Sequence, residues 1–189
     1  MENRVLIIVD AQNDFVEGGA LGVEGAREKM KNLAEHIKKV GPYYYSKVLL
    51  TADSHPFKHV SFKEYGGLWP RHCVKDTEGV DFVQELKELL PSFNNPYIRY
   101  KGQDEKKEEY SVFENEINRS VIKEEVLNDN PKVDICGIAG DYCVLETIKD
   151  YLKYGFNPLN LTVLKSFIAS IDGGEKLNRF VEENMLPSK

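Results

Sequence analysis

The chain is poor in cysteine, methionine and tryptophan, with three Cys, three Met and one Trp in 189 residues. Three thiols (Cys73, Cys136, Cys143) cannot all pair within one chain and none lies in a C-x-x-C, which argues against a disulfide framework and leaves room for a reactive thiol. Long apolar runs are missing as well. The longest near the N-terminus, residues 5–9, is too short for a signal-peptide core or a membrane span, so the expected location is the cytoplasm, away from membranes. Positive charge is not in excess: 25 Lys and Arg face 31 Asp and Glu, a net charge of −6. A surface of that sign does not neutralise phosphates, which excludes nucleic acid as an expected partner. Also absent are G-x-S-x-G, a P-loop and a G-x-G-x-x-G directly after a strand; Gly18-Gly19-Ala20-Leu21-Gly22 reads as a flexible turn.

What is present is ordinary globular composition, 41% apolar against 30% charged, and the length fits a single domain over residues 1–189. Short aliphatic runs alternate with longer segments of helical spacing. The alternation predicts an α/β fold, a Rossmann-like parallel sheet of five to six strands with helices on both faces. Strands are expected at 5–9, 48–51, 97–100, 133–138 and 161–164, and helices at 26–40, 80–90, 120–127, 141–154 and 175–183. The run from Gln103 to Glu109 contains no apolar residue and reads as a solvated, mobile loop. Ligand-binding groups of parallel sheets gather beyond the C-terminal strand ends, which here read Asp10, Asp53, Lys101 and Gly140-Asp141.

Three of the four histidines fall between His55 and His72, just after the strand end that carries Asp53. Imidazole and carboxylate donors suit a borderline divalent ion such as zinc, iron or manganese, and the set Asp53, His55, His59 and His72 leaves room for water or substrate. Scattered loop histidines making surface hydrogen bonds are the alternative; His36, alone in a helix, reads that way. Cys143 stands in the first turn of an expected helix, where the dipole and the free N–H groups favour a thiolate and can hold an oxyanion. A buried structural thiol is the other reading, and it is the one that fits Cys136 inside its strand and Cys73 beside His72. Asp10 and Lys101 reach the same rim. A lone carboxylate would raise the pKa of a thiol and an ammonium would lower it again, so the pair makes chemical sense beside Cys143, although a plain buried ion pair also accounts for it.

The segments V-D-A-Q-N-D-F-V-E-G-G-A-L-G-V (Val9 to Val23), T-A-D-S-H-P-F-K-H (Thr51 to His59), W-P-R-H-C-V (Trp69 to Val74), Y-K-G (Tyr100 to Gly102), Y-S-V-F (Tyr110 to Phe113) and G-I-A-G-D-Y-C-V (Gly137 to Val144) together resemble the isochorismatase-like cysteine hydrolases. Within that family they are most similar to the nicotinamidases (pyrazinamidases). The resemblance implies that Cys143 is a nucleophile, Asp10 a general base and then acid, and Lys101 the cation that orients the pair. It implies one divalent metal on Asp53, His55, His59 and His72, zinc first, with iron or manganese as alternatives. An oxyanion hole would come from the N–H groups of Ala139 and Cys143 with a cis peptide between Ile138 and Ala139, and a ring pocket from Phe15, Leu21, Trp69, Ile138 and Tyr142. The implied reaction takes nicotinamide, and also pyrazinamide, through a cysteine thioester to the acid and ammonia, serving NAD salvage. Homo-oligomerisation stays open. Four departures from the family pattern stand out: Gly140 where Thr is frequent, Asp76 in place of Gly, a longer stretch from Gln103 to Glu109, and an ending at Met185 to Lys189 that leaves a sixth strand open. Rival readings are an isochorismatase or N-carbamoyl amidohydrolase of the same fold, and a catalytically silent protein that binds metal or nicotinamide.

Overall fold

The five aliphatic runs form one parallel sheet in the computed structural model, which describes residues 3–93 and 96–189. Along the chain they are β1 (Arg4–Val9), β2 (Lys47–Asp53), β3 (Tyr97–Lys101), β4 (Lys132–Ile138) and β5 (Leu161–Ala169), laid side by side in the order β3-β2-β1-β4-β5. Every pairing is parallel. A central strand of such a sheet is covered on both faces, which is why β1 reads as an unbroken apolar run whose residues from Val5 to Val9 are all buried.

The helices are α1 (Ala26–Val40), α2 (Gln84–Lys87), α3 (Glu116–Val121), α4 (Leu145–Lys153) and α5 (Glu175–Glu183). α1 runs between Gly25 and Gly41, whose positive φ values of 74° and 86° suit chain entry and exit. It buries Met30, Leu33, Ala34 and Ile37, a stripe at helical spacing, against β5 and α2. Each large member of that stripe contributes about 1.5–3 kcal/mol. From β1 the chain winds outward to β3, then crosses back to β4 beside β1 and continues to β5. The strand order thus reverses between β1 and β4, the position at which a parallel α/β sheet opens a crevice beyond its C-terminal strand ends.

Three expected elements differ. The helix expected over 80–90 is broken into a 3-10 turn at Glu78–Val80, the four-residue α2 and a second 3-10 turn at Leu90–Ser92. Its first half is drawn into extended pairing with the chain after β1: Phe82 bridges Gln12, and the Val83 N–H donates to the Ala11 carbonyl at 3.0 Å. The helix expected over 120–127 starts earlier, at Glu116, because Asn115 caps it by accepting from the Asn118 N–H; it ends in a π turn at Ile122–Val126. No sixth strand forms among the described residues. The chain end makes a single parallel bridge from Ser188 to Val163, with the Val163 N–H donating to the Pro187 carbonyl at 2.8 Å.

At the opposite rim of the sheet, Asp134 near the start of β4 is buried and accepts from Arg4 at 3.1 Å and from the Tyr45 hydroxyl at 3.1 Å. His36 lies on α1 with its ring 5.0 Å from that of Phe167, a packing role. No helix of the described residues is long and apolar enough to cross a membrane.

Candidate active site

Three adjacent strands deliver side chains at or just past their C-terminal ends to one point. Lys101 Nζ lies 2.9 Å from Asp10 Oδ2, 2.5 Å from Asp53 Oδ1 and 3.6 Å from Cys143 Sγ, and it donates to the Glu109 carbonyl at 3.3 Å. All four side chains are buried, Lys101 and Asp10 almost completely. Asp10 leaves β1 with φ 47°, a left-handed conformation that Asp tolerates better than most residues. Its N–H donates to the Thr51 carbonyl, and its Oδ1 accepts from the Thr51 hydroxyl at 2.6 Å.

Cys143 is presented by a π turn, Gly140–Val144, rather than by the first turn of the regular helix α4 that follows it. The Tyr142 and Val144 N–H groups both donate to the Ala139 carbonyl, and the Thr147 hydroxyl donates to the Cys143 carbonyl at 2.7 Å. The Ile138–Ala139 peptide is cis. The thiolate expected at this position is not favoured in the resting site. Burial pushes the Cys143 thiol well up, Lys101 pulls it down, and Asp10 and Asp53 push it up again. Burial likewise raises Asp10 despite Lys101, whereas for Asp53 the effect of burial is outweighed by Lys101 and the two histidines, which hold its carboxyl well below the usual range.

The other oxygen of Asp53 faces a second group. His55 Nδ1 lies 2.9 Å from the Gly102 carbonyl and His72 Nδ1 lies 2.8 Å from the Pro70 carbonyl, so both rings donate from Nδ1 and turn Nε2 inward. Those Nε2 atoms stand 3.6 and 3.9 Å from Asp53 Oδ2, and His55 Nε2 is buried without a hydrogen-bond partner. One ligand atom from each of Asp53, His55 and His72 falls within 4.8 Å of the others. Two imidazoles oriented by backbone carbonyls and converging on one carboxylate form a group that could hold a divalent metal ion. His59 is adjacent but differently aimed. Its ring packs 4.2 Å from that of His55, while its Nε2 faces the Lys107 carbonyl at 3.0 Å and its Nδ1 accepts from the Ser61 N–H at 3.2 Å.

Beside both groups opens a pocket enclosing about 390 Å³ including its mouth. Phe15, Leu21, Trp69 and Tyr142 line it, together with Val23, Tyr110, Ala139, Ile171, Asp53, His72 and Cys143. Ile138 does not, being fully buried at the end of β4. Trp69 meets Tyr142 edge-on at 4.8 Å and donates from Nε1 to the Tyr110 hydroxyl at 3.1 Å, which fixes the indole as a wall.

Residues 4–173 match the isochorismatase domain. The chain belongs to the isochorismatase family. A nicotinamidase/pyrazinamidase of Mycobacterium tuberculosis is 35% identical over 162 residues, covering 80% of each chain. Among solved structures, the pyrazinamidase of Pyrococcus horikoshii in complex with zinc superposes with a TM-score of 0.82 at 32% identity, covering 99% of this chain and 98% of that one. PnC1 of L. infantum in complex with nicotinate gives 0.83 at 25% identity, covering 99% and 92%.

Several groups of this isochorismatase-family site escape sequence reasoning. Gln12 clamps Asp53 through both edges of its backbone, donating from Nε2 to the carbonyl at 2.8 Å and accepting at Oε1 from the N–H at 2.8 Å. The charged run after Lys101 is no free loop. Glu109 is buried and accepts from the Gly102 N–H at 2.9 Å, Glu108 lines the pocket, and the Glu105 carbonyl accepts from Val60. Composition reports side-chain polarity, and this segment works largely through its backbone carbonyls. The glycine segment after Phe15 is also tightly folded, since a Cβ on Gly19 would stand 2.3 Å from the Asn13 carbonyl oxygen and the Leu21 N–H donates to the Asp14 carbonyl. Asp76 occupies a position with φ 65°, the conformation for which glycine is the usual choice.

Gly140 has a local reason too. A Cβ there would lie 2.1 Å from Ser170 Oγ and 2.7 Å from Ile168 Cγ2. Gly140→Ala is therefore expected to destabilise the fold by roughly 1–3 kcal/mol through overpacking, and thermal unfolding measures it; an unchanged Tm would show that Ser170 simply rotates away.

Proposed function

We propose that this chain hydrolyses nicotinamide to nicotinate and ammonia, with pyrazinamide as a second substrate, through a covalent intermediate on Cys143. The observation that carries the reading is the buried Lys101 ammonium joining Asp10, Asp53 and Cys143 at one side of a flat, aromatic-walled pocket. In the first half-reaction the Cys143 proton passes to Asp10 as sulfur attacks the carboxamide carbon. Lys101 stabilises the sulfur anion during transfer, which matters because burial disfavours a standing thiolate. The N–H groups of Ala139 and Cys143 receive the developing oxyanion. Asp10 then gives its proton to the departing nitrogen, releasing ammonia and leaving a thioester. In the second half Asp10 takes a proton from water as the water oxygen attacks the thioester carbon, and the released sulfur recovers that proton.

Asp53, His55 and His72 would hold a divalent ion, with His59 joining after its ring turns from the Lys107 carbonyl. When bound, that ion supplies a Lewis acid at the pocket wall. Zinc is the first expectation, with iron and manganese behind it, and the role in the cell is salvage of the pyridine ring for NAD in the cytoplasm.

Steady-state ammonia release from nicotinamide, with metal content measured on the same sample, tests the reading. Chelation is expected to remove the ion and most of the activity, and zinc, manganese or iron to restore both. His72→Ala should lower bound metal independently of any assay of turnover. Full activity in verified metal-free protein would remove the ion from the proposal, and hydrolysis of isochorismate or an N-carbamoyl amide in place of nicotinamide would replace the substrate.

A further inference from the structure

The turn that carries Cys143 is joined, residue by residue, to the segment between β5 and α5. Gly140 faces Ser170 so closely that no Cβ fits between them. The buried carboxylate of Asp141 accepts from the Ile171 N–H at 2.8 Å. Lys176, in the first turn of α5, places its ammonium 4.8 Å from the centre of the Tyr142 ring. These contacts accompany Ile171 into the pocket wall. Its exposure is out of keeping with its neighbours: Ile171 is 50% exposed, against 5% for Phe15 and 7% for Ala139.

We propose that Ile171, held in place by Asp141, is a specificity-determining residue that limits the size of the heteroaromatic amide the pocket accepts. The inference rests on the amide-hydrolase reading above. A ring placed with its carboxamide at Cys143 is walled by Phe15, Trp69 and Tyr142, aromatic side chains that are packed or hydrogen-bonded and cannot yield without loss. Ile171 is the wall residue with a solvated half. A single ring lets that half close over it and lose its exposed apolar surface. A second fused ring must occupy the same space and displace the side chain from its Asp141-anchored position. Asp141 is thus a positioning residue, acting on substrate only through Ile171.

The experiment compares nicotinamide with quinoline-3-carboxamide, the same ring extended by a fused benzo ring. Two readouts are taken: kcat/KM for ammonia release, and Kd from the fluorescence of Trp69, the sole tryptophan and a wall residue. Ile171→Ala is expected to shift both ratios toward the bicyclic amide by roughly 10-fold or more, the scale of discrimination set by one or two methyl groups in an apolar pocket. Ile171→Val should shift them in the same direction by a smaller step. Asp141→Ala should do likewise, and Asp141→Asn, which keeps an acceptor for the Ile171 N–H, should return toward wild type. Unchanged ratios in folded Ile171→Ala or Ile171→Val overturn the role of Ile171; a shift with Asp141→Ala that Asp141→Asn fails to reverse overturns that of Asp141. If wild type binds both amides and hydrolyses neither, the hydrolase reading fails while the Kd ratio still decides the role of Ile171. Failure to bind either amide removes both.

Discussion

Cys143→Ala is expected to reduce ammonia release to background, a loss on the order of 10⁵ to 10⁶ in kcat, while the fold and the metal remain. The size of the effect follows from there being no substitute nucleophile. Cys136 is fully buried in β4 with its sulfur 3.7 Å from the Ile7 carbonyl oxygen, and Cys73 is buried with its sulfur 3.9 Å from that of Gly79. Neither reaches the pocket. Alanine removes one sulfur and leaves the turn's backbone hydrogen bonds untouched, so thermal unfolding should move little. Because burial holds the thiol above its ordinary value, alkylation of Cys143 in the free enzyme should be slow near neutral pH and quicken as pH rises. Retained turnover in Cys143→Ala, together with its loss in Cys136→Ala or Cys73→Ala, would transfer the nucleophile to another residue.

Lys101→Met should have the second largest effect, on stability and rate together. Lys101 is 1% exposed and faces two carboxylates, and removing one partner of a buried ion pair costs about 3–5 kcal/mol because the remaining charge is left uncompensated. Here two charges are left. The pH dependence should shift toward acid, because in the wild type the raised Asp10 and the lowered Asp53 act in opposite directions. In the wild type Asp53 is held below its ordinary pKa, so its contribution is present above the unfolded value and is lost as pH falls through the folded one. Without the ammonium, buried Asp10 and Asp53 both bind protons more readily than in the wild type, and the variant is favoured relative to the wild type as pH falls. The rate should drop by roughly 10² to 10⁴, the scale of a positioned acid–base group, since an Asp10 that holds its own proton cannot accept one from Cys143. Tm measured across pH 4–8, alongside kcat, checks both. Parallel Tm profiles and a near-normal kcat would reduce Lys101 to a structural cation.

Asp10, Asp53 and Lys101 were legible because a parallel sheet of apolar runs has one functional rim, and each run ends in a charged residue there. His55 and His72 were legible by crowding in a chain with few histidines. The direction of a ring was not. His59 has the same spacing credentials as its neighbours, but its aim is set by the Lys107 carbonyl and the Ser61 N–H, and spacing carries no information about either. Gln12 was hidden for a related reason: a side-chain amide that replaces a strand partner looks like any loop glutamine. The helix expected over residues 80–90 shows the limit of periodicity, since Phe82 and Val83 have helical spacing yet are claimed by pairing with Gln12 and Ala11. Residues 103–109 show the limit of composition.

The rim formed by Arg4, Tyr45 and Asp134 lies at the far end of the strands from the pocket, and β1 alone spans about 20 Å at the usual rise per residue. Asn128, Asp129 and Asn130 lie exposed on that side, in the turn leading into β4. A tether attached there, to a bead, an electrode or a fused carrier, would leave the pocket mouth facing solution and the buried charges undisturbed. The same linkage at Lys176, above the Tyr142 ring, would block the entrance. The orientation of an immobilised sample is therefore decided by which end of one parallel sheet is anchored.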